Sequence, residues 1–290
     1  MGQLVRTISE NGGIIALAVD STDIVSRMES IHKTSAVVTA ALGRLLTAAS
    51  LMGSMLKAKD DSITLRVNGG GPTGSLIAVT DYMGNVRGYV ANSIVEIPLN
   101  SYGKLDVSGA VGKEGTLSVV RDVGLKEPYI GQIPLVSGEI AEDITQYYAT
   151  SEQTPTACGL GVLVNPDLTV KSAGGYIIQL LPGVTDEEIS QIEANINKMP
   201  PVSTMLNNKM TPEDICKIAL DGFNPQVLDK MNCEYRCNCS RERVEKALIS
   251  LGKDEIQAMI DENKTQKVNC HFCNKVYRFN ADELRNLLEK

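Results

Sequence analysis

The sequence predicts an α+β protein: an N-terminal mixed α/β domain on a largely antiparallel sheet, a helical linker, and a small cysteine-stapled C-terminal unit. Three observations carry this. Short β-prone runs follow one another through the first 182 residues, separated by Gly-, Pro- and Asn-containing turns, and such a meandering order favours antiparallel pairing. From Gly183 the apolar period becomes helical and prolines interrupt it. Four of the seven cysteines fall in two tight pairs, Cys237-Asn238-Cys239 and Cys270-His271-Phe272-Cys273. The implied boundaries are 1–182 for the core domain, 183–231 for the linker region and 232–290 for the terminal unit.

Composition narrows the class. A chain of 290 residues, 43% hydrophobic and 22% charged, is ordinary globular protein of about two domains. The net charge of −7 lies in the first 231 residues, with 17 Lys and Arg against 25 Asp and Glu, whereas the last 59 carry 11 against 10. That balance lacks the basic excess of a nucleic-acid module, and with no Trp and three Phe there are few stacking platforms for single strands. Met1 to Gly13 contains no apolar signal core. An odd number of cysteines, four at metal spacing, suits a reducing cytoplasm better than secretion. Ser35 to Leu56 is apolar and long enough to span a membrane, but Arg44 near its centre and many small residues read as a tightly packed core helix. No membrane and no nucleic acid are therefore expected as partners.

In chain order, Gly13 to Val19 reads as a strand. Ser21 or Thr22 caps a helix to about His32, and Thr34 or Ser35 caps the long apolar helix. His32 has no clustered partners in sequence and reads as structural or exposed. Ser62–Asn68, Leu76–Asp81 and Val86–Ala91 are consecutive strands. The turn Gly69-Gly70-Gly71-Pro72-Thr73-Gly74 matches a dinucleotide fingerprint only formally, because a strand-like run follows it where a helix is required. Gly112-Lys113-Glu114-Gly115-Thr116 likewise lacks the spacing of a phosphate loop and reads as a turn. Thr116–Asp122 and Ile130–Pro134 are strands, Ser137 caps a helix from Glu139 to Ser151, and Gly161–Asn165 and Val170–Leu181 complete the strands. Thr185 with Glu188 forms a capping box for a helix bearing Ile189, Ile192 and Ile196, which Pro200-Pro201 stops. Val202, Met205 and Leu206 mark a short helix, and Thr211-Pro212 opens another through Ile215, Ile218 and Ala219. Helices this short hold by docking rather than by intrinsic helicity.

The last 59 residues are too few to bury a self-sufficient core. Ser240 caps a helix from Arg241 to Leu251 that Gly252 ends, and a second helix runs about Asp254 to Glu262. Val268 to Phe279 is a hairpin with Cys270 and Cys273 in its turn, and Asn280 with Glu283 starts the final helix. Two tight cysteine pairs at this separation can converge on one ion, so Cys237, Cys239, Cys270 and Cys273 are candidate ligands of a tetrahedral four-cysteine zinc site, one Zn²⁺ per chain. Structural zinc contributes roughly 10–16 kcal/mol of folding free energy in finger peptides, so losing it should melt the unit. The thiolates remain oxidisable, and sulfurs joined as a disulfide no longer hold metal. Cys270 and Cys273 are spaced for a direct disulfide. Cys237 and Cys239 are marginal, since two extended residues span roughly 6.6 Å, near the limit a disulfide tolerates, and the segment must bend.

Cys237-x-Cys239-Ser240, Gly252-Lys253-x-Glu255-Ile256 and Cys270-His271-Phe272-Cys273-Asn274 together resemble the C-terminus of the bacterial heat-shock protein 33 family. The likeness extends along the chain, in family order, through Ala41-Leu42-Gly43-Arg44, Gly69-Gly70-Gly71-Pro72, Gly103-Lys104-Leu105-Asp106-Val107 and Leu117-Ser118-Val119-Val120-Arg121-Asp122. It continues through Val136-Ser137-Gly138-Glu139, Ser151-Glu152-Gln153 and Gly174-Gly175. None of these is a catalytic motif. The resemblance implies a redox-regulated holdase chaperone, not an enzyme, in which Cys237, Cys239, Cys270 and Cys273 are both zinc ligands and redox switch. It implies a reduced, zinc-bound resting form in the cytoplasm. Peroxide with heat, or hypochlorous acid, then joins neighbouring cysteines in two disulfides and releases zinc, the linker unfolds, and the protein becomes a homodimer that holds unfolding clients. Apolar residues between Ile189 and Leu228 become candidate client surface.

Cys233 departs from that pattern, standing four residues before Cys237, where it could compete as a ligand or scramble disulfides. Cys158 and Cys216 are lone thiols, and Cys216 on an amphipathic helix reads as core. Two other functions are weighed. A zinc-dependent or thiol oxidoreductase would need an open metal position or a cycling Cys270–Cys273 pair, and four cysteines fill the site. A nucleic-acid-binding zinc module runs against the neutral charge of the terminal unit.

Overall fold

A helix that is apolar on every side needs neighbours on every side. The run from Ala36 to Gly53 has them. In the computed structural model, which describes residues 2–288, this helix (α2, Ala36–Gly53) lies between two five-stranded sheets and buries every residue except Ala36 and Arg44. Two glycines permit the close approach. A Cβ on Gly43 would lie 2.8 Å from Val25 Cγ1, and one on Gly53 would lie 2.1 Å from Thr80 Oγ1. Arg44, the residue that argued against a membrane span, pairs with Glu139 at the edge of the layer.

The first sheet has the order β10-β1-β2-β9-β8, from β1 (Gly2–Ile8), β2 (Ile14–Asp20), β8 (Thr156–Val164), β9 (Val170–Leu180) and β10 (Gln226–Cys233). The second has the order β5-β4-β3-β6-β7, from β3 (Ser62–Asn68), β4 (Leu76–Asp81), β5 (Val86–Val90), β6 (Thr116–Asp122) and β7 (Tyr129–Pro134). All pairings within both sheets are antiparallel, as the α+β reading requires. α1 (Thr22–His32) packs beside α2, the short α3 (Val107–Val111) follows the Asp106 cap, and α4 (Ala141–Thr150) packs on β7 and β8.

Both faces of the first sheet are covered, which explains the near-continuous apolar run of β2. Leu17 and Val19 face α2, whereas Ile14, Ala16 and Ala18 face outward with Ile178. The outer layer is α5 (Asp186–Lys198), α6 (Val202–Asn207) and α7 (Pro212–Ala219), which contribute Ile192, Val202, Met205, Leu206, Ile215 and Cys216. The capping box read from sequence is present at Thr185/Glu188, and Thr211, read as opening the next helix with Pro212, forms a second box with Asp214.

Several elements differ from the sequence reading. β1 and α3 were not expected, and β8 begins at Thr156 rather than Gly161. The helix expected from Glu139 under a Ser137 cap begins at Ala141. There the buried carboxylate of Asp143, not Ser137, accepts from the backbone N–H groups of Val136, Ser137 and Ile140 at 2.7, 3.1 and 3.0 Å. The stretch assigned wholly to a helical linker ends in a strand, β10, paired with β1. In consequence the chain divides into two compact units between Arg236 and Cys237, five residues later than the boundary read from composition.

The second unit contains α8 (Arg241–Ile249), α9 (Lys253–Asp261), the hairpin β11 (Gln266–Asn269) and β12 (Val276–Phe279), and α10 (Ala281–Leu288). Its core is Leu248, Ile256, Ile260, Tyr277, Phe279, Leu284 and Leu287. The Arg241 guanidinium stacks 4.3 Å from the Phe279 ring centre and pairs with Glu283 at 2.7 Å. Gly252 (φ 97°) separates the first two helices, and Asn280 and Glu283 exchange hydrogen bonds of 2.9 Å at the start of α10.

Candidate metal centre

The extended segment before α8 carries Cys237 and Cys239, and the Ser240 hydroxyl accepts from Arg243 N at 3.2 Å to start the helix immediately after them. The hairpin turn carries Cys270 and Cys273. Cys270 N donates to Lys275 O at 3.0 Å and Asn274 N to Cys270 O at 2.9 Å, with Asn274 in the left-handed region at φ 58°. This tight turn brings both sulfurs to one side. The four Sγ atoms all lie within 4.8 Å of one another, and each residue of one pair meets one of the other: Cys237 to Cys270 at 3.6 Å, Cys239 to Cys273 at 3.4 Å.

All four are half-buried free thiols. A tetrahedral ion with four sulfurs at about 2.3 Å sets them about 3.8 Å apart, so the donor set fits such an ion, and all-sulfur tetrahedral sites suit zinc or iron. Sequence reasoning named these four residues, and the fold brings all four together.

A neighbour it missed is Tyr277, a buried side chain whose hydroxyl donates to Cys239 Sγ at 3.1 Å, with Lys275 Nζ 5.1 Å from the centre of its ring. The available signal was the alternation of β12, which puts Tyr277 and Phe279 on the same inward face. Burial pushes the Cys239 thiol up, but hydrogen bonds, first from Tyr277 and then from the other three cysteines, outweigh it and hold Cys239 down at about 7. Burial moves Cys237 and Cys273 upward instead.

The other cysteines stand apart from this cluster. Cys233, considered a competing ligand, is fully buried at the end of β10 in the core of the first unit, opposite Gly2. Cys216 lies in the core between α7 and the first sheet, its thiol pushed up to about 12 by burial, and Cys158 is raised equally by the same cause. His32 Nε2 lies 3.3 Å from the Tyr235 hydroxyl, a structural placement.

Comparison with known proteins agrees over the whole chain. The family model described as Hsp33 protein matches residues 2–280, a span that includes all four clustered cysteines. The chain is similar to the 33 kDa chaperonin of Acetivibrio thermocellus, with 50% identity covering 99% of this chain and 96% of that one. It is 46% identical to the 33 kDa chaperonin of Bacillus licheniformis, each chain covered completely. The crystal structure of the 33 kDa chaperonin from Thermotoga maritima superposes with a TM-score of 0.91 at 38% identity, covering 99% of this chain and 97% of that one. These relatives are named as chaperonins rather than enzymes, and the chain belongs to the Hsp33 family.

Proposed function

We propose that this chain is a redox-gated holdase: a chaperone that is silent while its four cysteines hold zinc and that captures unfolding proteins once those cysteines are oxidised. The observation that carries the reading is the convergence of four free thiols, 3.4–3.6 Å apart across the two pairs, in a unit whose own core is seven side chains. Zinc bound there would cross-link the extended segment to the hairpin and supply most of the folding free energy, roughly 10–16 kcal/mol in comparable peptides. Cys237, Cys239, Cys270 and Cys273 would be its four ligands, one ion per chain.

With peroxide, Cys270 and Cys273 would lose two electrons and two protons to form a disulfide while one peroxide becomes two waters. A second equivalent would join Cys237 and Cys239. Joined sulfurs no longer staple the segment to the hairpin, and the terminal unit loses its folding energy. On this reading residues 232–290 are the switch, 183–231 the responsive linker and 1–182 the stable core domain. The linker helices dock on the first sheet through the outward Ile14, Ala16, Ala18 and Ile178. Their release would uncover apolar surface for unfolded clients in the cytoplasm, with two oxidised chains associating as a homodimer.

The test follows zinc with a chromogenic chelator during peroxide treatment at elevated temperature, and reads client aggregation in the same samples. One zinc per chain should leave as protection appears, and reductant with zinc should reverse both. Zinc release without any protection would reduce the cluster to a structural clip.

A further inference from the structure

The segment 226–236 occupies the edges of both sheets of the first unit. β10 pairs with β1 along the first sheet, so β1 would otherwise be its edge. The same chain then crosses to β5, the outer strand of the second sheet. Val86 N donates to Glu234 O at 2.9 Å, Arg236 N donates to Val86 O at 2.8 Å, and Tyr235 sits as a parallel bridge to Val86. The Tyr235 hydroxyl donates to Gly88 O at 2.8 Å and accepts from Gly88 N at 3.3 Å. One strap of eleven residues thus satisfies main-chain groups on two sheets, and its next residue is Cys237.

This strap is held by ladder hydrogen bonds more than by packing. Of the β10 side chains only Cys233 is buried, and the register slips between Arg6 and Thr7. Its ion pairs, Arg6–Asp229 and Lys230–Glu213, are partly exposed and hold weakly. Asp229 Oδ1 is buried without a partner, which counts against the bound strand. A strand end followed by a disordered tail frays, so unfolding of everything beyond Arg236 removes the ordered chain that continues the strap.

We propose that the strap is a stand-in for client: the edges of β1 and β5, vacated when 226–236 peels away, bind an extended, unfolded polypeptide by strand addition. This rests on the redox-gated reading above and specifies how the client is recognised. An uncovered edge is a row of unpaired N–H and C=O groups that pairs with extended chain independently of its sequence, which suits a protein that must accept many unfolded partners. The outer strands β7 and β8 are not covered by the strap and cannot be gated by it. β7 also ends in Pro134, which has no N–H to offer.

The experiment is hydrogen–deuterium exchange on the full chain in three states: reduced with zinc, oxidised, and oxidised with reduced, carboxymethylated α-lactalbumin as permanently unfolded client. The β1 amides that face β10, and the Val86 amide, should be protected in the first state, exchange at least tenfold faster in the second, and regain protection in the third, while the β1 amides paired with β2 stay protected throughout. A synthetic peptide of residues 226–236, with Ser for Cys233, should bind the oxidised chain only. Its analogue with alternate N-methylated amides, identical in side chains, should bind at least tenfold more weakly. Equal binding of the two peptides, or edge amides that stay exposed while client aggregation is suppressed, would overturn strand addition and leave the holdase reading intact. Reprotection that follows the concentration of the chain itself, without client, would assign the edges to a second copy and equally overturn the proposal. Absence of client protection altogether would instead sink the holdase reading.

Discussion

The two units of this chain solve the same folding problem with opposite means. In the first, α2 alone buries sixteen of eighteen residues between two sheets. In the second, among the described residues, no helix or strand buries more than two side chains. Apolar burial scales with the size of a unit, and conformational entropy is lost at every residue whatever the size, so the small unit runs short. The first unit is stable because of what it excludes from water. The second has little such burial and, on the function proposed above, would depend on an ion held by four oxidisable sulfurs. On that reading a switch would sit in the second kind of structure, because releasing one ion there would remove the fold.

The sharpest way to break this comparison is to remove the staple. Chelation under reducing conditions, or the Cys273→Ser change, should cost the terminal unit most of the roughly 10–16 kcal/mol that such an ion supplies. Amides from 241 to 288 should exchange as an unfolded chain while those of α2 remain protected. If both units lost protection together, the division between Arg236 and Cys237 would not be a division of stability.

The converse change is smaller. Leu45→Ala removes a fully buried side chain from α2 and should cost the first unit about 2–5 kcal/mol in denaturant unfolding. Zinc affinity, read by competition with a chelator, should be unchanged. A shift in affinity would show that the cysteine site draws on the large core for its stability.

A third prediction concerns charge in the metal-free cluster. The Cys239 thiol is held near 7, below its ordinary value of 9. A folded-state pKa lowered in this way contributes stability that is present above the unfolded value and is lost as pH falls through about 7. Cys237 and Cys273, shifted upward, work in the opposite sense and withdraw stability as pH rises. Zinc affinity, read by competition with a chelator, should therefore strengthen as pH rises through about 7 and the first thiol proton is titrated away. Tyr277→Phe, which deletes the hydroxyl that donates to Cys239 Sγ, should move that first titration back toward the ordinary thiol range. An unchanged titration would show that the neighbouring thiols, and not Tyr277, set it.

What the sequence made legible follows the same division of means. The cysteine spacing picked out all four residues of the cluster, because tight pairs are a short-range pattern, and the Thr185 capping box and the Thr211-Pro212 start carried α5 and α7 for the same reason. The meander of β3 to β6 was readable from its turns. β1 and β10 were not, since they pair over 223 residues of separation at Arg6 and Asp229. β10 in particular shows little burial periodicity, being exposed along most of its length. Tyr277 escaped because its role depends on a partner, Cys239, on another element. Long-range pairing is invisible to a reading by local periodicity, and the strap that joins both sheets is made of such pairs.

The smallest predicted effect lies in that strap. Tyr235→Phe keeps the ring and removes a hydroxyl that meets Gly88 O, Gly88 N and His32 Nε2 at 2.8, 3.3 and 3.3 Å. Losing such a hub costs about 1 kcal/mol, which corresponds to roughly fivefold faster opening of the Val86 amide if opening is local. Global unfolding of the first unit should scarcely move, because α2 and its flanking sheets do not depend on this contact, and zinc affinity should stay the same. The ratio of the two effects is what decides. A local change much larger than the global one means the strap opens as its own unit, intermediate between the self-sufficient core and the stapled terminus. A global loss equal to the local one would mean that segment 226–236 unfolds only with the whole core, and the two-unit contrast would then extend unbroken up to Arg236.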